Sequence, residues 1–351
     1  MKKFFCCFML SMAAVLFMMP SCANAQYIDM DVVKFGQLLQ ENKAALIDVR
    51  TAEEFEQGHI AGAVNYDFYA SEFVQMVSQN VEKDKPLALY CRSGRRSAEA
   101  AKLLNEAGYT VYNLDGGYNG WRDSGRRVTK YEVDIFKTPK GSLLYLYLIK
   151  HGSVAIEYDS LFIQVDPVAE FGKHTDYSVE FPKADVILVT HEHADHLEDS
   201  TIKVLTKEDT RLILNKTSAD KIGRGEIIAN GESLELPKGI RLEAVPAYNT
   251  TAGREKFHPK GNGNGYLLTI DGFRIYIAGD TEDVPEMANL KDIDVALLPV
   301  NQPYTMTVEQ CANAANMIMP KVLIPYHFSK TDLSPLQGMI PKQKILFRQM
   351  Q

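Results

Sequence analysis

The chain has 351 residues, 46% of them apolar, and a formal charge of −7. That length suggests two domains with additional segments, and the apolar fraction is enough for ordinary cores. The acidic balance gives no support for a nucleic-acid partner, and there is no repeat or low-complexity tract.

The N-terminus reads as a targeting segment. Lys2 and Lys3 precede an apolar stretch from Phe4 to Met19, and Ala23-Asn24-Ala25 offers a small-x-small cleavage site before Gln26. This is the pattern of a bacterial secretory signal peptide over residues 1–25, so the chain is expected to be exported, periplasmic or secreted. The stretch is too short and wrongly flanked for a membrane span. Ser21-Cys22 offers an alternative, lipid attachment at Cys22 and a membrane anchor, which Met19 and Pro20 fit poorly. Three of the five cysteines lie in this segment. The remaining Cys91 and Cys311 are too few for a disulfide framework. Cys311 sits in a stretch that reads as helical and is expected to be an inert core residue.

Residues 26–128 alternate strands and helices. Ala44–Val49, Leu87–Tyr90 and Thr110–Asn113 read as strands, and Ser97–Ala107 as a helix closed by Gly108. That order predicts a parallel sheet with flanking helices. Cys91 ends a strand and precedes Arg92-Ser93-Gly94-Arg95-Arg96 and the helix. Loop amides, a helix N-terminus and three arginines all favour a thiolate there. Such a thiolate can attack a sulfane sulfur and hold it as a persulfide.

These pieces resemble a rhodanese. The matching residues are Ile47-Asp48-Val49-Arg50 with Glu53, Gly58-His59-Ile60-Ala61-Gly62-Ala63, Cys91 to Arg96, and Gly116-Gly117 with Trp121. The resemblance implies that Cys91 carries sulfur while loop amides, Arg92 and Arg96 stabilise its charge. Asp48 and Arg50 would support the loop, and His59 would be structural. Cysteine-dependent phosphatases place an arginine six residues after the nucleophile; here that position is Ser97, and the shorter loop suits sulfur better than phosphate.

Residues 129–140 read as a linker, spanning roughly 20 Å r.m.s. if flexible. A second domain, 141–351, opens with three expected strands, Leu143–Lys150, Val154–Tyr158 and Leu161–Val165, the last ending in Asp166. The apolar run Ala184–Val189 then leads into Thr190-His191-Glu192-His193-Ala194-Asp195-His196. Three imidazoles and a carboxylate this close suit zinc, iron or manganese. A His-Glu-x-x-His helix is excluded, because Asp195 stands where the second histidine would be. Downstream, Phe273–Ala278 leads into Gly279-Asp280-Thr281, and Val322–Tyr326 into His327. The run Gly261-Asn262-Gly263-Asn264-Gly265 leads into a strand rather than a helix and reads as a turn.

The His-x-His-x-Asp-His pattern followed by Asp280 and His327 resembles the metallo-β-lactamase superfamily. The resemblance implies an αββα sandwich holding up to two metals, most simply zinc, with iron or manganese as alternatives. His191 and His193 would hold the first metal, Asp195, His196 and His327 the second, and Asp280 would bridge them. Asp195 is also counted among the catalytic residues, and Asp166 would orient ligands from behind. The family supplies a further histidine after a middle strand, but here Leu242–Tyr248 ends in Asn249. His258 is expected to swing in from its loop; Asn249 as ligand, or a single metal, remains open. His151 could line the cleft or be structural, and His174 is expected to be solvated.

The combined expectation is an exported enzyme with small-molecule substrates. It would transfer sulfur between a donor and an acceptor through a Cys91 persulfide, and hydrolyse an ester, lactone or phosphodiester at the metals. Two alternatives stand beside it. One is an iron-dependent persulfide dioxygenase coupled to the sulfurtransferase, against which Asn249 argues. The other makes the first domain a binding module only, against which the intact Cys91 loop argues.

Overall fold

The computed structural model describes residues 27–350, so the expected signal peptide and Cys22 lie outside the described residues. The first domain is built on a five-stranded sheet in which every pairing is parallel. Its spatial order is Ile28–Met30, Val111–Leu114, Leu87–Tyr90, Ala45–Asp48, Val64–Asn65. Leu87–Tyr90 is buried along its whole length because helices cover both faces, which is why it reads as an unbroken apolar run. One face packs on Phe73, Val77, Ala100, Ala101 and Leu104, the other on Phe35 and Trp121. The helix after Cys91 spans Arg95–Glu106, two residues longer at its start than the sequence suggests. Gly94 makes this possible: at φ 93° it turns the chain through the left-handed region that glycine tolerates.

The second domain contains two seven-stranded mixed sheets. The first runs Glu226–Ile227, Arg211–Leu214, Val186–Val189, Leu161–Val165, Ser153–Tyr158, Leu143–Lys150, Glu132–Lys137. The second runs Ser233–Leu236, Ile240–Ala247, Gly263–Ile270, Phe273–Ile277, Val295–Pro299, Val322–Tyr326, Lys344–Ile345. Each has an antiparallel half and a parallel half. Leu146, Ile156, Ile163 and Leu188 of the first sheet meet Leu242, Leu268, Ile275 and Ile324 of the second in one core. Ile202, Leu205 and Ala219 cover the outside of the first sheet, and Ala312, Ala315 and Ile318 the outside of the second. The layers are therefore helix, sheet, sheet, helix. Among the described residues no helix is long and apolar enough to cross a membrane.

The expected linker over 129–140 is not a linker. Glu132–Lys137 is the edge strand of the first large sheet, antiparallel to Leu143–Lys150. Two side chains on one face of the strand anchor it there. Phe136 packs against Phe273, and Asp134 receives Arg348 Nη2 at 2.6 Å. The two domains are also stitched directly at the junction, where His59 and Thr129 exchange backbone hydrogen bonds of 2.7 and 2.8 Å.

Candidate metal centre

Four parallel-half strands end at the same edge of the sandwich, and the loops after them carry the chemistry. Leu161–Val165 leads to Asp166, Val186–Val189 to the Thr190–His196 loop, Phe273–Ile277 to Asp280, and Val322–Tyr326 to His327. Backbone details fix the convergence. A Cβ on Gly279, whose φ is 64°, would lie 2.8 Å from Asn264 O. A Cβ on Gly152 would lie 2.6 Å from His196 Cε1, so only glycine lets this turn approach the ring.

The side chains form two adjoining groups. His191, His193 and His258 bring one nitrogen each within 4.8 Å of one another, and His151, Asp195, His196 and His327 do the same with three nitrogens and an oxygen. Asp280 lies between them. Its Oδ2 is 3.3 Å from His258 Nε2, and its Oδ1 is 3.3 Å from His327 Nε2 and 3.4 Å from His196 Nε2. His191 Nε2 approaches His193 Nδ1 to 3.1 Å, and His196 Nε2 approaches His327 Nε2 to 3.1 Å.

Outer partners set which nitrogen each imidazole offers. Asp166 accepts from Thr190 N at 2.7 Å, from Thr190 Oγ1 at 2.6 Å and from His196 Nδ1 at 2.7 Å. Thr190 Oγ1 in turn faces His191 Nδ1 at 3.0 Å. His258 Nδ1 donates to Tyr304 O at 3.1 Å. His191, His196 and His258 are thereby left with Nε2 lone pairs aimed inward, as an orienting outer layer requires. Asn249 is buried, but its Nδ2 is spent on Tyr304 O at 2.7 Å and Arg254 O at 3.3 Å. That Nδ2 braces the loop that delivers His258, while the Asn249 Oδ1 is buried without a hydrogen-bond partner.

The donor set fits metal ions. His258 Nε2 and Asp280 Oδ1 are fully buried, point into the cluster and have no hydrogen-bond partner, a costly state that a cation relieves. The charges agree. Burial, then the neighbouring His196, push the His191 imidazolium well down, so the ring is neutral. Burial opposes the charge on Asp280, yet His327 and His196 outweigh it and hold the carboxyl well below its usual range. Burial also opposes charge on Asp195, and hydrogen bonds from His151 and His327 hold that carboxyl down. His196 is pushed up to about 10, because Asp280 and Asp166 together overcome the cost of its burial. Buried carboxylates thus demand positive charge at this point.

Several contributors were weakly signalled or missed by the sequence reading. His151 stands in the second group, its Nε2 3.1 Å from Asp195 Oδ2, although its position at a strand turn left its role open. Asn264, inside the glycine-rich run, donates its backbone N–H to Thr190 O at 3.0 Å and so braces the histidine loop. That run is largely strand, Gly263–Ile270, not turn. Its glycines are needed for contact, since a Cβ on Gly265 would lie 2.7 Å from Ala278 O. His174 is exposed and faces Glu170, away from both groups.

In the first domain Cys91 is buried at the start of its loop. Burial raises its pKa, but the Ser97 hydroxyl and the backbone amides of Ser97, Ser93 and Gly94 bring it below the ordinary value. Arg92 and Arg95 are exposed. Arg96 directs both terminal nitrogens to Glu54 at 2.8 Å, so its fork serves the loop's position more than the sulfur. The buried Asp48–Arg50 pair reaches Gly58 O at 2.6 Å and lies over the Tyr118 ring, and Tyr118 N holds Cys91 O at 2.7 Å. His59 stacks on Phe55 and bonds its carbonyl, a structural position. Cys311 is buried and its thiol is pushed up to about 12 by burial alone, so it is inert.

Comparison with known proteins agrees with both halves. A rhodanese-like domain model matches residues 31–124, and a β-lactamase superfamily domain model matches residues 145–327. A metal-dependent hydrolase of Thermococcus kodakarensis is 30% identical over 187 residues, covering 51% of this chain and 82% of its own. One from Ligilactobacillus salivarius is 33% identical, with the same coverage. The crystal structure of a candidate metal-dependent hydrolase from Parabacteroides distasonis is 51% identical with a TM-score of 0.61, covering 63% of this chain and 100% of its own. The chain belongs to the β-lactamase superfamily domain family and carries a rhodanese-like domain ahead of it.

Proposed function

We propose that this chain is a two-metal hydrolase of an ester, lactone or phosphodiester, joined to a sulfurtransferase. The observation that carries the metal half is Asp280, which offers one oxygen to each histidine group. His191, His193 and His258 would hold one ion, and Asp195, His196 and His327, with His151 beside them, the other. Ligands of imidazole and carboxylate without thiolate suit zinc, and also iron or manganese. When bound, the ions supply Lewis acidity to the scissile group and acidify water. The chain's own part is to orient the ligand imidazoles through Asp166, Thr190 and Tyr304 O, so that each turns its Nε2 toward the ions. The carboxylate of Asp195, partly open to solvent, is held ionised by His151 and His327 and would complete the second site on its open side.

In the first domain, the Cys91 thiolate would attack the sulfane sulfur of a donor such as thiosulfate, releasing sulfite, and the resulting persulfide would pass that sulfur to an acceptor thiolate, regenerating the Cys91 thiolate. The loop amides would hold the thiolate on which this depends. The sequence of residues 1–25 supports export, which cell fractionation would test.

The deciding experiment is elemental analysis of purified protein together with a screen of esters, lactones and phosphodiesters. Two metals per chain and chelator-sensitive hydrolysis are expected. Iron as the native metal with oxygen uptake on a persulfide would replace the hydrolase with a dioxygenase. Thiosulfate turnover that survives Cys91→Ser would reduce the first domain to a binding module.

A further inference from the structure

The segment between Asp166 and the short helix Tyr177–Glu180 displays an aromatic side chain at the mouth of the metal centre. Phe171 is 43% exposed, and its ring centroid lies 4.5 Å from that of His151. His151 in turn reaches Asp195, and its ring centroid lies 3.5 Å from that of His327. Phe171 therefore packs directly on a member of the second group.

An exposed phenylalanine on a loose loop would carry little meaning. This loop is clamped on both sides of the ring. Lys150, 1% exposed, donates to Ala169 O at 2.6 Å and to Lys173 O at 2.7 Å. The Ala169 and Glu170 amides donate to Glu198 Oε2 at 2.5 and 3.2 Å, and Thr175 N donates back to Ala169 O at 3.2 Å. A buried ammonium and a partly buried carboxylate are thus committed to the backbone flanking Phe171, while the ring itself stays out of the core. Small-molecule sites combine a few placed polar groups with apolar walls, and here the polar groups are the histidine clusters.

We infer that Phe171 is the apolar wall of the substrate site and that the substrate carries an apolar chain next to its scissile carbonyl. This deepens the ester reading above and rests on it. Phe171 would bind that chain while the carbonyl sits at the metals, so chain length should be read in KM.

The test compares p-nitrophenyl octanoate with p-nitrophenyl acetate as substrates, and octanoate with acetate as calorimetric ligands of the metal-loaded full chain. Wild type should prefer the octanoyl group in both. Phe171→Ala should lose about tenfold of that preference, the order a hydrophobic contact of this kind supplies. Metal content should be unchanged, and Phe171→Leu should retain most of the preference. A preference that survives Phe171→Ala, or is absent from wild type, overturns the wall. Octanoate binding that depends on Phe171 without turnover of either ester supports the wall and removes the ester reading.

Discussion

Asp166 Oδ2 lies 2.7 Å from His196 Nδ1, and neither side chain is exposed to solvent. The same carboxylate holds both the N–H and the hydroxyl of Thr190, at the start of the histidine loop. Asp166 therefore fixes the tautomer of one candidate ligand and the entry of the loop that carries the others. Asp166→Asn should weaken metal binding at the second group by roughly 10- to 100-fold, the usual cost of losing such a partner. A competition titration with a chromophoric chelator reads this directly. Unchanged affinity would show that His196 is oriented by its packing against Gly152 alone.

The two candidates for completing the first group are now distinguishable. His258 points its unpartnered Nε2 at Asp280, whereas Asn249 gives its Nδ2 to the carbonyls of Tyr304 and Arg254 and leaves only a neutral Oδ1, a poorer ligand than imidazole. His258→Ala should lower metal content from two toward one per chain, since a buried carboxylate and two imidazoles make a poor site alone. Asn249→Ala should cost less, acting through a loosened loop. Elemental analysis of both variants gives the ranking, and the reverse order would place Asn249 at the metal.

Much of this site was legible in the sequence because its ligands stand at strand ends, and strand ends are marked by apolar runs stopping at a polar residue. Asp280 and His327 each follow such a run. His258 was harder, since it arrives from a loop whose course depends on Glu282. That buried carboxylate accepts the amides of Thr250 and Thr251 at 2.7 and 2.6 Å, a long-range contact with no local signal. His151 was ambiguous for the same reason, because nothing nearby in sequence reveals that Asp195 comes to meet it. The misread linker has a different cause. Thr138-Pro139-Lys140-Gly141 is a true turn, but it joins two paired strands and does not separate two domains. A charged edge strand such as Glu132–Lys137 carries too weak a period to stand out beside it.

Cys91 offers a pH-dependent prediction. Its thiolate is favoured by the loop amides and by the Ser97 hydroxyl, which rests on Gly94 O at 3.0 Å and can turn its hydrogen toward sulfur. The folded pKa is lowered, so the reactive thiolate persists to lower pH than in a free cysteine. Alkylation by iodoacetamide should be half-maximal below the ordinary value of about 8.5. Ser97→Ala removes one stabilising hydrogen bond and should move that midpoint upward. Stability follows the same sign: the deprotonated thiol stabilises the fold above the unfolded pKa, and the gain fades as pH falls through the lowered one. A midpoint at or above that of free cysteine in wild type would remove the case for an activated sulfur carrier.

The arrangement of the domains bears on whether the two chemistries are coupled. A cavity of about 1130 Å³ lies between them, lined by Ala45, Asn80 and Lys85 on one side and Asp134, Tyr147 and Arg348 on the other. Ala45 opens one strand of the small sheet and Lys85 lies just before another, whereas Cys91 follows the end of Leu87–Tyr90. The second three lie on or against the antiparallel half of the large sheet, and the histidine groups stand at the ends of the parallel half. No residue from Cys91 to Ser97 and no residue of the histidine groups lines the cavity. The junction is also stitched, by the His59–Thr129 exchange and an Arg127–Glu157 ion pair, and Ile135 packs against Gly62. A persulfide is covalently fixed to its loop, so transfer to the metal centre would require one domain to turn away from these contacts. The two reactions should therefore run independently. Cys91→Ser should leave hydrolysis at the metal centre unchanged within about twofold, or ~0.4 kcal/mol in barrier. Steady-state assays of the full chain, with and without a sulfane donor, read this directly. A metal-centre reaction that stops in the serine variant would mean that the sites work in series and that the metal acts on the sulfur Cys91 delivers.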